Sequence, residues 1–149
     1  MDLSQALPNT HTRQPPGMTW DDYQAWQHWI KGPGQAWPQY AYDVELFTQG
    51  LLPGETDPAM LKLWARNTAR RIDAVGVRAG AFTLFEARRF TGWSAIAQLK
   101  GYEMLWRFSF PALPLAELVI ITERIDDAIR ASAATQGVRA WVVGEDFRP

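Results

Sequence analysis

The chain predicts a mixed α/β fold, in the α+β sense, with a central mixed β-sheet flanked by helices. Three observations point there. Two short apolar runs, Ile72-Asp73-Ala74-Val75 and Phe82-Thr83-Leu84-Phe85-Glu86, flank Ala79-Gly80 as the arms of a hairpin would. A helical stripe of large apolar residues spans Thr19 to Ile30. A continuous apolar run, Leu118-Val119-Ile120-Ile121-Thr122, is followed by an amphipathic segment and then Val138–Val143. Strand, helix, strand in that order implies a right-handed parallel crossover. Hairpin and crossover together require a sheet with both antiparallel and parallel pairs.

Taken in order, residues 1–18 hold three prolines and many polar side chains without periodicity. They read as an extended arm that stays disordered unless it lies on its own domain or on a neighbouring subunit. Residues 19–149 form a single domain. Thr19–Ile30 is a helix with Thr19 as N-cap, Asp21 and Asp22 in its first turn, and Tyr23, Trp26 and Ile30 on one stripe beside Trp29. An aromatic stripe at this spacing fits a core better than a base-stacking platform. Gly32-Pro33-Gly34 ends it. Tyr40–Gln49 alternates as a strand, with Tyr42, Val44 and Leu46 on one face and Asp43, Glu45 and Phe47 on the other. Asp57 and Pro58 open a second helix to Ala69, with Leu61, Trp64 and Ala65 inward. After the hairpin, whose second arm runs to about Arg89, Gly92 to about Arg107 is a third helix. Gln98 and Tyr102, four apart, share its face near Ala95 and Leu105. Phe108–Pro114 reads as a loop. Glu123–Gln136 is a fourth helix, with Ile125, Ala128, Ile129 and Ala133 inward.

At 149 residues and 47% hydrophobic content the chain suits one globular core. It has no cysteine and two histidines, so disulfide frameworks, thiolate zinc sites and histidine-rich metal sites are excluded. No apolar run reaches membrane-spanning length and the N-terminus lacks a signal-peptide core, so the expected place is the cytoplasm or a particle assembled there. The net charge of −1 is unevenly spread. Residues 1–60 hold two basic and seven acidic side chains, residues 61–110 nine and three, and residues 111–149 four and six. The basic block is Lys62, Arg66, Arg70, Arg71, Arg78, Arg88, Arg89, Lys100 and Arg107. It brackets Asp73 and Glu86, one carboxylate in each hairpin arm. A carboxylate in an otherwise apolar strand needs a partner. A hard divalent cation would serve as one, and a positive surround suits a phosphodiester backbone. A solvated helix face with charged strand edges explains the same block equally well.

Asp73 with its flanks Arg71-Ile72 and Ala74-Val75, then Phe85-Glu86-Ala87-Arg88, then Gln98-Leu99-Lys100-Gly101-Tyr102, resembles the PD-(D/E)XK nuclease superfamily, in its RecB-like exonuclease branch. The resemblance spans Arg70 to Trp106. It implies a restriction-endonuclease-like core and an Mg- or Mn-dependent hydrolysis of DNA. It assigns Asp73, Glu86, Arg88, Gln98 and Tyr102 to the catalytic site. Asp73, Glu86 and the carbonyl of Ala87 would hold metal, and Arg70, Arg71, Arg89 and Lys100 would touch the nucleic acid. The chain departs at one place: the family's lysine is Arg88 here. Guanidinium supplies charge and bidentate phosphate contacts but does not deprotonate in proteins. Lys100 lies off the Gln98–Tyr102 face. Two functions follow, a DNA nuclease or a catalytically degenerate subunit with a structural or DNA-contacting role, for instance in a phage particle, assembled through the N-terminal arm. A plain α/β interaction module remains the third.

Overall fold

The computed structural model describes residues 3–46, 57–59 and 70–148. Among them the chain forms a six-stranded mixed sheet and three α-helices. The strands are β1 (Leu7–Pro8), β2 (Gln39–Leu46), β3 (Arg70–Arg78), β4 (Ala81–Thr91), β5 (Leu115–Ile125) and β6 (Val138–Val142), and they lie in sequence order across the sheet. The pairs from β1 to β4 are antiparallel and those from β4 to β6 are parallel. The helices are α1 (Trp20–Lys31), α2 (Trp93–Ser109) and α3 (Asp127–Thr135). No helix among the described residues is long and apolar enough to cross a membrane.

Local chemistry accounts for the main elements. Thr19 Oγ1 accepts the backbone N–H of Asp22 at 3.2 Å, capping α1 as its sequence demands. The β3–β4 hairpin turns on Ala79 and Gly80, both at positive φ (50° and 76°), the pattern of a two-residue turn whose twist matches the strands. The β5–α3–β6 unit is the expected parallel crossover. Asp57 Oδ1 accepts from the N–H of Ala59, as an N-cap would. The rest of the predicted second helix, with Leu61, Trp64 and Ala65, lies outside the described residues, as do Phe47, the strand's predicted end at Gln49, Lys62 and Arg66.

Two cores sandwich the sheet. On the α1 side Trp26, Trp29, Ile30, Trp37, Tyr40, Phe85 and Trp141 are buried together. Trp26, Trp29 and Trp37 all lie within 6 Å of the Phe85 ring, centroid to centroid. Gly76 makes this layer possible, because a Cβ there would stand 2.8 Å from both Phe85 Cε2 and Trp37 Cδ1. On the α2 and α3 side the core is more aliphatic: Ile72, Val75, Leu84, Leu99, Leu118, Ile120 and Ile129, with Phe82 and Trp106.

Several expectations need correction. Val44 and Leu46 join the aliphatic core, whereas Tyr42 packs against the aromatic one. The strand's alternation breaks because Asp43 adopts φ 52°, held there by Arg71, which donates to both its carbonyl and its carboxylate. Glu123–Ile125 belongs to β5, not to the following helix, and Ala128 is exposed. Parallel pairing of Phe90 with Arg124 and Thr91 with Ile125 extends the strand three residues past the apolar run. Phe108 and Ser109 complete α2 instead of starting the loop.

The N-terminal arm lies on its own domain. Leu7 and Pro8 pair with the edge of β2, Met18 is buried, and Asn9 and Gln35 exchange side-chain-to-backbone hydrogen bonds at 3.0 and 2.9 Å. The Tyr23 hydroxyl donates to the carbonyl of Thr12.

Candidate functional site

Strands β3 and β4 run paired from Arg78–Ala81 to Ala74–Phe85 and then part. At the fork, Asp73 Oδ2 accepts the N–H of Ala87 at 3.0 Å, replacing the next rung of the ladder with a side chain. Alternation along β4 puts Phe85 and Ala87 in the aromatic core and sends Leu84 and Glu86 to the α2 side. Glu86 is 1% exposed. Gln98 and Tyr102 lie one turn apart on α2, with Gln98 Nε2 donating to the Tyr102 hydroxyl at 3.1 Å.

Arg88 joins these groups. Its Nη2 contacts Glu86 Oε1 and donates to Gln98 Oε1 at 2.7 Å. Its Nη1 donates to the carbonyl of Ala87 at 2.9 Å and approaches Asp73 Oδ2 to 3.6 Å. The fold therefore brings Asp73, Glu86, Arg88, Gln98 and Tyr102, with the Ala87 carbonyl, to one place. A sixth side chain carries no mark of the site in the sequence. Asp22 of α1 places Oδ2 3.7 Å from the same Nη1. Its position in a helix's first turn already explained an acid there, so nothing local marked it as a partner of β4.

The electrostatics are under strain. Burial, and after it the neighbouring Asp73 charge, push the Glu86 carboxyl up to about 8 against the opposing pull of Arg88. Burial likewise raises Asp73 to about 6, against the Ala87 N–H and Arg88, which favour its ionised form. The Tyr102 hydroxyl rises to about 12, chiefly by burial and then by the charge of Glu86. Glu86 Oε2 is buried with no hydrogen-bond partner among the described residues.

The other cations that sequence placed at a nucleic acid are largely engaged within the chain. Arg71 pairs with Asp43 and Glu45, at 3.0 and 3.1 Å. Arg89 pairs with Glu123 at 3.4 Å and approaches Asp21 to 3.9 Å. Lys100 and Arg107 share Glu103, which they hold below the usual carboxylate range. Arg78 lies over the Trp37 ring. Arg70 is exposed. Around Arg88, the three carboxyls of Asp22, Asp73 and Glu86 outnumber the one guanidinium whenever they are ionised.

A divalent metal at this place would need donor oxygens that are not already engaged. The Ala87 carbonyl and Glu86 Oε1 are taken by the guanidinium, and Asp73 Oδ2 by the Ala87 N–H. Only Glu86 Oε2 is a buried oxygen without a partner here, and among the described residues no three His, Cys, Asp or Glu side chains are arranged to hold a metal ion. With Arg88 in place, these residues do not fit the ion. No protein-family model, curated protein or solved structure matches this chain.

Proposed function

We propose that this chain is a nuclease-like domain of PD-(D/E)XK type whose hydrolytic site has lapsed, and that it serves as a structural subunit, such as a component of a phage particle. A restriction-endonuclease-like core is part of this reading. It is supported by the hairpin that carries Asp73 and Glu86, by the helix that carries Gln98 and Tyr102, and by their convergence. One observation carries the loss of activity: the Arg88 guanidinium sits among Glu86, Ala87 and Gln98, where it occupies the oxygens that would face a reacting group and offers no base. A structural role is favoured over a DNA-contacting one because Arg71, Arg89 and Lys100 would have to leave carboxylate partners to meet phosphates.

The test is incubation with linear and circular DNA and Mg²⁺ or Mn²⁺, beside an Asp73→Ala control. The expected result is no cleavage that the control removes, with elution as an assembly on size exclusion. Cleavage by the wild type that vanishes in Asp73→Ala would establish an Mg-dependent nuclease instead. Cleavage gained in Arg88→Lys would mark the site as a lapsed one.

A further inference from the structure

Helix α2 is apolar on two opposite sides. One side closes the aliphatic core with Ala95, Ile96, Leu99, Tyr102 and Trp106. The other carries Trp93, Ala97, Gly101, Met104 and Phe108. At about 100° of turn per residue, these five fall within an arc of roughly 80° that points directly away from the core. Trp93 is 59% exposed, Met104 68% and Phe108 55%. A surface helix ordinarily turns polar side chains to water. A continuous apolar stripe in that position marks a contact surface. The N-terminal arm, which the sequence offered as the assembling element, is instead engaged on its own domain.

We propose that a second copy of this chain covers the stripe, with α2 packed antiparallel on its mate across a twofold axis. The geometry selects a second copy over a different partner because the stripe is complementary to itself. Trp93 and Phe108 lie equally far from the midpoint between Lys100 and Gly101, and so do Ala97 and Met104. In an antiparallel pair Trp93 therefore meets Phe108, and each Met104 meets the small Ala97. At the midpoint, Gly101 lets the two backbones approach. Its own chain does not require a glycine there, since an added Cβ would have nothing within 4 Å. Lys100, beside the axis, is paired with Glu103 at 2.5 Å, so two copies bring together ion pairs and not bare cations. The area is sufficient. At the ~150–250 Å² of a large side chain, the exposed parts of Trp93, Met104 and Phe108 amount to roughly 300–450 Å² per copy. With Ala97, Gly101 and the flanking stems, pairing buries on the order of 1,000 Å² in total, where specific interfaces begin. The inference deepens the structural-subunit reading above and rests on it for the use of the contact.

The experiment is sedimentation equilibrium of the full chain from about 1 to 500 μM, where an interface of this size gives a dimer with Kd on the order of 10 μM. Met104→Glu, at a side chain its own chain leaves exposed, is expected to weaken pairing at least about tenfold with the circular dichroism of the fold unchanged. Gly101→Leu replaces a poor helix former, so the monomer should gain stability while the new side chain wedges the two helices apart. A stripe that served only its own chain would give the opposite pattern, with stability lost and association unaffected. The chain has no cysteine, so single cysteines report orientation. A mixture of Ala97→Cys and Met104→Cys chains should oxidise to the mixed disulfide in preference to either like pair. A wild type that stays monomeric to about 500 μM overturns the inference. So does a dimer that both Met104→Glu and Gly101→Leu leave intact, or one whose cysteine variants link only like to like. Loss of folding in both variants overturns it too, since the stripe would then be needed within the chain. Asp73-dependent DNA cleavage by the wild type would defeat the lapsed-site reading and leave the pairing standing. A wild type that elutes as an assembly indifferent to both substitutions would defeat only this inference.

Discussion

The two faces of the sheet solve burial differently. On the α1 face, polar atoms are neutral and mostly answered by near neighbours. Trp29 Nε1 donates to the Tyr40 hydroxyl at 3.2 Å, that hydroxyl donates to the Gly34 carbonyl at 2.6 Å, and Trp37 Nε1 donates to Thr83 Oγ1 at 3.3 Å. On the α2 face, aliphatic packing surrounds a set of ionisable groups whose charges do not balance. Neutral hydrogen bonds fix a scaffold at little electrostatic cost, whereas a buried charge cluster stays sensitive to every proton and ion that reaches it. The first face supplies rigidity. The second keeps a site capable of responding.

The largest break in this comparison should come from the aromatic face. Trp29→Ala empties a fully buried ring site and is expected to cost about 4 kcal/mol, read as a lowered denaturation midpoint in urea. The second effect belongs to the other face and depends on pH. Because the folded state raises the Glu86 pKa from 4.5 to about 8, the folded chain holds a proton that the unfolded chain has released across that window. Stability therefore falls as pH climbs from about 5 to 8, with Asp73 adding in the same direction lower in the range, by a few kcal/mol on the order expected from such shifts. Glu86→Gln should flatten that slope, and urea titrations at pH 5 and pH 8 would detect it. An unchanged slope would mean that the carboxylate charge is fully compensated. Third, Tyr40→Phe leaves the Trp29 Nε1–H and the Gly34 carbonyl without their shared partner, at about 2 kcal/mol and with no dependence on pH in the same window. The smallest effect is Thr19→Ala, about 1 kcal/mol from the lost α1 cap, which also frees Asp22 and so touches both faces.

Most of what was legible in the sequence was local. The α1 stripe, its cap and the hairpin around Ala79-Gly80 follow from spacing and turn chemistry, and the structure carries them with shifts of a residue or two. Gln98 and Tyr102 were paired by helical periodicity, and Asp73 and Glu86 by their places in the two arms. What escaped was set by tertiary contact. The reversal of faces at Asp43 depends on Arg71 gripping it from the neighbouring strand, and no pattern within Tyr40–Leu46 announces that. Asp22 looked like a dipole-favoured helix residue because it also is one. Arg88 read as a substituted lysine, but only the folded chain brings it to Glu86, Gln98 and the Ala87 carbonyl at once. The basic block suggested an open positive field, and pairing of Arg71 and Arg89 with acids distant in sequence removes part of it.

Gly76 has a consequence for how far this protein can vary. Where side chains usually separate a sheet from what it packs on, here bare backbone forms the wall against which two rings rest. Even a methyl group would have to displace a phenyl and an indole together, and each of those is wedged by other rings in turn. Saturation mutagenesis scored for soluble expression should find this strand position the least forgiving in the hairpin, intolerant even of alanine.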